Sequence, residues 1–215
     1  MVDASIARIS GPVVVAKDLD AAQLFDIVRI GDMGLVGEII RLEGSSAMIQ
    51  VYEDTTGLKP GESVVNTKKP LSLQLGPGLL TSIYDGIQRP LDKLREESGD
   101  FISRGKVIPA LDQTKKWEFI PIKKNGDDVE PGDIIGEVQE TPLIKHKIMI
   151  PHNVSGKLSD ISEGKFNVNE IVGVVKNGKT TDVALSHWWT VRIPRPVLRK
   201  LPPEEPLLTG QRVVD

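Results

Sequence analysis

The sequence of 215 residues contains no cysteine, which excludes disulfide scaffolds, thiolate zinc sites and cysteine nucleophiles. It has no apolar run of about 18 residues or more, so no segment is predicted to span a bilayer. Lysine and arginine total 27 against 30 acidic residues, which leaves no general basic field for nucleic acid. The first residues lack a basic start and an apolar stretch, which argues against export. We therefore expect a cytoplasmic protein.

Short β-prone runs separated by turns fill the first third of the chain. They lie at 6–9, 12–16, 25–30, 37–42, 47–52 and 71–75. Residues 43–46 suit a hairpin, and Pro60-Gly61 suits a type II turn, because proline fixes φ at the second position and glycine accepts a positive φ at the third. Six short strands favour a small closed barrel, since closure leaves no exposed edge. Leucines alternate with polar residues over 71–75, so we expect the leucines to face the core.

Helical periodicity is confined to residues 78–98. Pro90 interrupts it, which predicts two short helices, the second opened by Pro90 and ended by Gly99. The pattern then returns to strands, at 119–122, 133–138, 147–150, 156–161, 171–175 and 181–185. Turn signals punctuate these strands at Asn125-Gly126, Pro131-Gly132 and Asn177-Gly178.

The patterns together predict a mainly β chain in four parts. A small closed N-terminal β-barrel occupies 1–75, and a short helical connector occupies 76–110. A second β domain, of sandwich or barrel-sandwich type, occupies 111–187. The proline-rich remainder, 188–215, is expected to be an extended connector.

The segment at 76–92 carries the most specific motif. It reads Gly-Pro-Gly-Leu-Leu-Thr-Ser-Ile-Tyr-Asp-Gly-Ile-Gln-Arg-Pro-Leu-Asp. It resembles the segment that leads from the N-terminal barrel into the body of the catalytic A subunit of archaeal-type and vacuolar-type rotary ATPases. Four further stretches agree with that family in order and spacing: 9–14, 37–44 followed by 49–55, 146–151 and 200–215. The resemblance covers the whole chain, and the short lead-in without long insertions fits the archaeal type better.

This resemblance implies a barrel that joins neighbouring subunits into a ring and a bulge domain that projects from the head. The implied partners are B-type and other head subunits and the peripheral stalk, with no nucleic acid and no insertion into the membrane. The implied location is cytoplasmic, peripheral to the cell membrane, in a complex that couples ATP synthesis or hydrolysis to proton or sodium transport.

Family members bind Mg-ATP in a nucleotide-binding domain that follows the Thr-Gly-x-Arg stretch, here Thr209 to Arg212. That domain contains a phosphate loop of the form G-x-x-x-x-G-K-[ST], which is not found in these 215 residues. We therefore expect no catalytic, cofactor-binding or metal-binding residue in this chain, and no activity of the chain alone.

Several groups of residues suggest chemistry, but each has an ordinary structural explanation. Three glycines lack the spacing of a phosphate cradle: Gly76, Gly78 and Gly86. Three histidines are too scattered for a helical pair of metal ligands: His146, His152 and His187. The carboxylate pairs Glu53-Asp54 and Asp127-Asp128 flank turns, where acidic side chains are usually solvated.

The tryptophans also allow two interpretations, a binding surface or structural packing. Trp188 and Trp189 precede a basic run that ends at Lys200, which could form a nucleic-acid surface. The preferred interpretation is a connector whose tryptophans pack against the body of the protein. Trp117 and Phe119, at strand spacing, are expected in the core.

Two other classes of function are kept as alternatives. The first is a free-standing module, either a β-barrel interaction module or a carrier domain. Residues 127–138 and the segments after them resemble a biotinyl or lipoyl carrier domain in the order of their strands and Gly-Asp turns. In such carriers the modified lysine lies in a Met-Lys-Met or Asp-Lys-Ala motif, and neither motif surrounds Lys145 or Lys147. An adduct on either lysine, detected by intact mass, would favour a carrier. A nucleic-acid-binding barrel is the other alternative, and it predicts an affinity that falls steeply with salt.

Overall fold

A computed structural model describes residues 4–99, 101–195, 197, 199–206 and 210. Over these residues the chain is mainly β, as predicted, with sixteen strands and one helix. Of the segment 207–215, only Gly210 is described, so the predicted lead into a further domain lies outside the described residues. No helix in the described part of the chain has the length and apolar character needed to cross a membrane.

The first β unit (residues 4–70) is one antiparallel sheet of six strands. They are β1 (Ser5–Ser10), β2 (Val13–Lys17), β3 (Asp26–Ile30), β4 (Leu35–Glu43), β5 (Ser46–Val51) and β6 (Val64–Pro70). Their order is β1-β2-β5-β4-β3-β6. Alternate residues point inward and form a core that includes Ile6, Val14, Val28, Ile39 and Ile49. The sequence did not predict β6, because its polar run from Asn66 to Lys69 has no apolar alternation.

The two edge strands of this sheet, β1 and β6, meet over only a few residues. Ser5 and Ser63 form an isolated bridge. The Val64 amide donates to the Ala4 carbonyl at 2.8 Å, and the Ile6 amide donates to the Glu62 carbonyl at 2.9 Å. The sheet therefore rolls around its core, but no continuous ladder closes it as the sequence prediction supposed.

The turn signals that glycine provides are confirmed. Gly61 has φ +93°, and the Glu62 amide donates to the Lys59 carbonyl, as a turn with proline second and glycine third requires. Gly178 has φ +66° and lies between two paired strands. Both positions need the left-handed region that glycine occupies without strain.

The connector (residues 76–110) contains one helix, α1 (Leu91–Ser98), which begins after Pro90 and ends at Gly99. The other predicted helix, over 78–89, is absent among the described residues. Thr81 and Gln88 have φ of +70° and +63°, which no α-helix accommodates. The Asp85 carboxylate also accepts the Ile87 and Arg89 amides, so this segment forms local turns instead.

The second β unit (residues 117–184) is a sandwich of two four-stranded sheets around one core. Its strands are β8 (Trp117–Pro121), β9 (Asp128–Val129), β10 (Ile134–Gln139), β11 (Lys145–Met149), β12 (Gly156–Ser159), β13 (Gly164–Phe166), β14 (Ile171–Asn177) and β15 (Lys179–Ala184). The sheet orders are β11-β10-β8-β13 and β15-β14-β12-β9. Trp117 and Phe119 are buried in this core, as predicted. The sandwich-like fold is confirmed.

Candidate interdomain interface

Two antiparallel strands form the junction between the two β units. Strand β7 (Ser72–Leu75) leaves the first unit, and β16 (His187–Thr190) returns from the second. Leu75 pairs with His187, and Leu73 pairs with Trp189. We call residues 187–195 the return segment. The chain thus leaves and re-enters the first unit at adjacent positions.

Gln74 is the buried residue of β7, with 4% of its surface exposed. The leucines of 71–75 are only partly buried, so the prediction that they face the core was wrong. The Gln74 side-chain amide donates to Asn169 Oδ1 at 3.2 Å and to Ser186 Oγ at 2.9 Å. A polar side chain is stable here because Asn169 of the second unit and Ser186, just after that unit, accept its hydrogen bonds.

The Gln88 side chain forms hydrogen bonds with the backbone of β7 at Gln74. Its Oε1 accepts the Gln74 amide at 2.7 Å, and its Nε2 donates to the Gln74 carbonyl at 2.7 Å. One side-chain amide therefore pairs with the backbone of β7 as a neighbouring strand would. The positive φ of Gln88 belongs to the turn that brings it there.

The return segment is fixed to the first unit by a forked ion pair. Arg192 Nη2 donates to both carboxylate oxygens of Glu38, at 2.8 and 2.7 Å, and its Nε donates at 3.1 Å. The guanidinium also lies over the Phe25 ring, 3.9 Å from its centroid. Glu38 is buried in β4. Burial, followed by the charge of Glu38, raises the pKa of Tyr52 to about 12.

The connector is joined to the first unit by a second ion pair. Arg89 donates to Glu53 through Nη1 and to Asp85 Oδ2 through Nε, the latter at 2.7 Å. The other Glu53 oxygen accepts the Gly105 amide at 2.9 Å. Burial acts to lower the pKa of Arg89, but the hydrogen bonds to Asp85 and Glu53 raise it overall. Glu53 was expected to be solvated at a turn, and this was wrong, because its side chain is only 8% exposed.

Glu140, in the turn between β10 and β11, joins the second unit to the connector. Its Oε1 accepts the Gly78 amide at 2.6 Å and the Leu80 amide at 3.2 Å. Its Oε2 lies 3.0 Å from His146 Nδ1, and the side chain is 3% exposed. Two connector amides and the His146 ring nitrogen therefore surround this buried carboxylate. The two amide hydrogen bonds hold the start of the connector against the turn.

The three histidines come together at this junction, although the sequence scatters them. The His152 ring lies 4.6 Å from the Trp189 ring, and the His187 ring lies 6.4 Å from it, edge to face. His146 Nδ1 lies 3.0 Å from Glu140 Oε2, in the turn that contacts the connector. Burial, followed by the charges of Arg195, His146 and His152, lowers the pKa of His187 to about 4. Among the described residues, no three metal-ligating side chains are placed to hold an ion.

The other sequence candidates lie apart from this cluster or have structural roles. A Cβ at Gly76 would collide with Ser186, and Gly78 has φ +106°, so both glycines allow close packing at the junction. Asp54 is exposed, and hydrogen bonds from Thr56 lower its pKa. Asp127 accepts the Lys124 amide and shapes a turn.

The two tryptophans of β16 differ in their surroundings. Trp189 is buried, as expected for packing against the body, whereas Trp188 is 64% exposed. Strand β16 itself was not predicted, although its two adjacent tryptophans are a residue type enriched in strands. The pairing of Arg192 with Glu38 spans 154 residues and leaves no local pattern.

Two family models match the chain. The ATP synthase alpha/beta family beta-barrel domain matches residues 6–68. The ATP synthase alpha/beta subunit barrel-sandwich domain matches residues 108–192. Together they cover both β units.

Three relatives are A subunits of A-type ATP synthases. The protein of Thermoplasma acidophilum is 57% identical over 98% of this chain and 28% of its own length. That of Pyrococcus abyssi is 54% identical over 98% of the chain and 21% of its length. That of Methanospirillum hungatei is 56% identical over 98% of the chain and 36% of its length. The chain thus spans about a fifth to about a third of these relatives.

Among solved structures, the ATPase EscN of the enteropathogenic E. coli type III secretion system aligns over 55% of the chain and 29% of its own. Its identity is 21% and its TM-score 0.39, too low to support a conclusion. The family models and the relatives give one answer. The chain matches two domain models of the ATP synthase alpha/beta family, and along 98% of its length it is similar to the N-terminal portion of the A subunits of A-type enzymes.

Proposed function

We propose that this chain serves the assembly of subunits and peripheral contacts within an A-type rotary ATP synthase. The parent complex would couple ATP synthesis or hydrolysis to proton or sodium transport, with Mg-ATP bound elsewhere in the full-length A subunit. No catalytic, cofactor-binding or metal-binding role is assigned to these 215 residues. The observation that carries the proposal is the 57% identity to an A subunit over 98% of the chain.

Each part of the chain has its own role in this proposal. The parts are divided at residues 75, 110 and 187, and the separate hydrophobic cores of the two β units support that division. The barrel would contact neighbouring B-type subunits in a ring, and the second β unit would face the peripheral stalk. The complex would lie on the cytoplasmic side of the membrane, without contact to nucleic acid.

The connector is proposed to pack against the remainder of the full-length A subunit. It exposes several large apolar side chains: Leu80, Ile83, Phe101, Ile102 and Val107. Of these, Phe101 is 88% exposed and Val107 is 71% exposed. An apolar surface of this kind is typical of a contact with another domain. The relatives are roughly three to five times longer than the region they share with this chain, which supplies residues to cover it.

The test of the proposal is a chimera. The matching residues of the Thermoplasma acidophilum A subunit are replaced by these 215 residues, and the product is mixed with the B-type subunit of the same organism. We expect the chimera to form the same hetero-oligomer by native mass spectrometry. A matched chimera with Phe101→Ser and Val107→Ser is expected to unfold at a lower temperature, because the contact between the connector and the remainder of the A subunit is weakened. The control Leu143→Ser changes an exposed residue of the second unit and should leave the unfolding temperature nearly unchanged. A chimera that folds but does not assemble would contradict the proposal.

The isolated chain provides a second test. Titration with Mg-ATP should show no micromolar binding and no phosphate release, and either result would contradict the assignment of the nucleotide site elsewhere. The intact mass should show no adduct on Lys145 or Lys147. Lys145 lies beyond the turn at 140–144 and pairs with Glu137 at 3.1 Å, which is not the free hairpin tip that carriers use.

A further inference from the structure

The sequence contains three histidines, and all of them lie at the junction of the two β units. His187 belongs to β16, whereas His146 and His152 belong to the second unit. Trp189 lies between His152 and His187 and contacts both rings. These residues are up to 41 positions apart in the sequence. In the structure, His187 lies on one side of the junction, and His146 and His152 lie on the other.

Two imidazole nitrogens in this cluster are buried without a partner. They are His152 Nδ1 and His187 Nε2. A neutral imidazole can leave one nitrogen unprotonated as an acceptor, at a moderate cost. An imidazolium carries a proton on both nitrogens, and it would need an acceptor or water for each of them. The packed arrangement therefore suits the neutral form.

The charge that faces His187 also disfavours its protonation. The Arg195 guanidinium, from the return segment, lies 4.1 Å from the centroid of the Trp189 ring. Glu140 faces His146 instead: its Oε1 accepts the Gly78 and Leu80 amides of the connector, and its Oε2 lies 3.0 Å from His146 Nδ1. Strand β7, which pairs with β16, contributes uncharged residues from Ser72 to Leu75. A proton added to His187 would therefore sit near a fixed positive charge.

We propose that His187, which packs on Trp189 together with His152, forms a proton-sensitive joint, which holds the second β unit against the return segment when its imidazole is neutral and loosens when it is protonated. The effect acts across the joint because His187 belongs to β16 and His152 belongs to the second unit. The second unit could then change its orientation relative to the first without unfolding.

The direction of the pH effect follows from His187. Its pKa is about 4 in the packed state, against an ordinary value of 6.5 when exposed. As pH falls below about 6.5, the loosened state binds a proton first, so the joint is most stable above this pH and weakens toward pH 4. Between pH 7.5 and 4.5, this difference in pKa favours the loosened state by up to roughly 70-fold.

Hydrogen exchange of the purified chain tests the joint, since it detects minor open states. The reporters are amides in residues 72–75 and 187–190, corrected for the intrinsic pH dependence of exchange. The internal control is the pairing of β2 with β5, which lies in the first unit. We expect the opening equilibrium at the junction to rise by about tenfold or more between pH 7.5 and 4.5, with little change in the control.

A non-titrating variant identifies the histidines as the cause. It combines His152→Phe, His187→Phe and His146→Gln, which keep the ring shapes and the donor to Glu140. This variant should lose the pH response of the junction. If circular dichroism shows that it does not fold, His187→Phe alone should lose most of the response. An unchanged response in either folded variant, no response in the original chain, or an equal response in the control strands would overturn the proposal.

Discussion

At the scale of single residues, Glu38 places a carboxylate in the interior of the first β unit, balanced by Arg192. Removing the arginine leaves a buried charge without its partner. We expect Arg192→Ala to lower the free energy of unfolding by about 2–4 kcal/mol, measured by urea denaturation. The control is Arg41→Ala, whose partner Glu43 is 64% exposed, and a loss within about 0.5 kcal/mol is expected there. Equal losses would show that the buried pair contributes nothing particular.

Gln74 makes a second prediction at this scale. In Gln74→Leu, the acceptors on Asn169 and Ser186 lose their donor in a buried place, which should lower stability by about 1–3 kcal/mol. Thermal unfolding followed by circular dichroism measures the loss. Gln50→Leu, on the exposed side of β5, is the matched control and should change stability little. A variant of Gln74 as stable as this control would mean that the polar network is dispensable.

At the scale of elements, alanine substitutions at two glycines near α1 distinguish the cost of backbone strain from the cost of a steric clash. Gly99 and Gly105 have φ of +70° and +71°, but a Cβ at Gly99 meets nothing, whereas one at Gly105 overlaps the Met33 carbonyl. At Gly99, ψ is −144°, so Gly99→Ala should cost about 1–2 kcal/mol from backbone strain alone. Gly105→Ala should cost about 3 kcal/mol or more in chemical denaturation. If the two costs are the same, the loop after α1 does not pack tightly on the first unit.

Local signals predicted those elements whose shape is decided locally. The Pro60-Gly61 turn and the limits of α1 at Pro90 and Gly99 follow from backbone chemistry that needs no distant partner. The helix predicted over 78–89 was wrong, because side-chain hydrogen bonds from Asp85 and Gln88 override its apolar spacing. The burial of Gln74 was missed for a similar reason. Its partners lie about 95 and 112 residues away, so no local pattern records them.

At the scale of the whole molecule, the contacts at the junction should make the two β units unfold together. The fork of Arg192 on Glu38 ties the return segment to the first unit, and the bonds of Gln74 and Glu140 tie β7 and the connector to the second unit and its end. Together these contacts link two units that have separate cores. We expect a single transition in differential scanning calorimetry at pH 7.5. The double variant Arg192→Ala with Gln74→Leu should show two transitions or a ratio of van't Hoff to calorimetric enthalpy well below one. Two separate transitions in the unmodified chain would contradict this coupling.

The ladder of β7 and β16 also affects how this chain tolerates changes of length. Because Leu75 and His187 are paired neighbours, the whole stretch between them starts and finishes at one place on the first unit. Residues added to or removed from exposed turns of the sandwich leave the distance between those two points unchanged. The second unit is thus attached as an exchangeable module, which could diverge in size and surface while the first unit keeps its register.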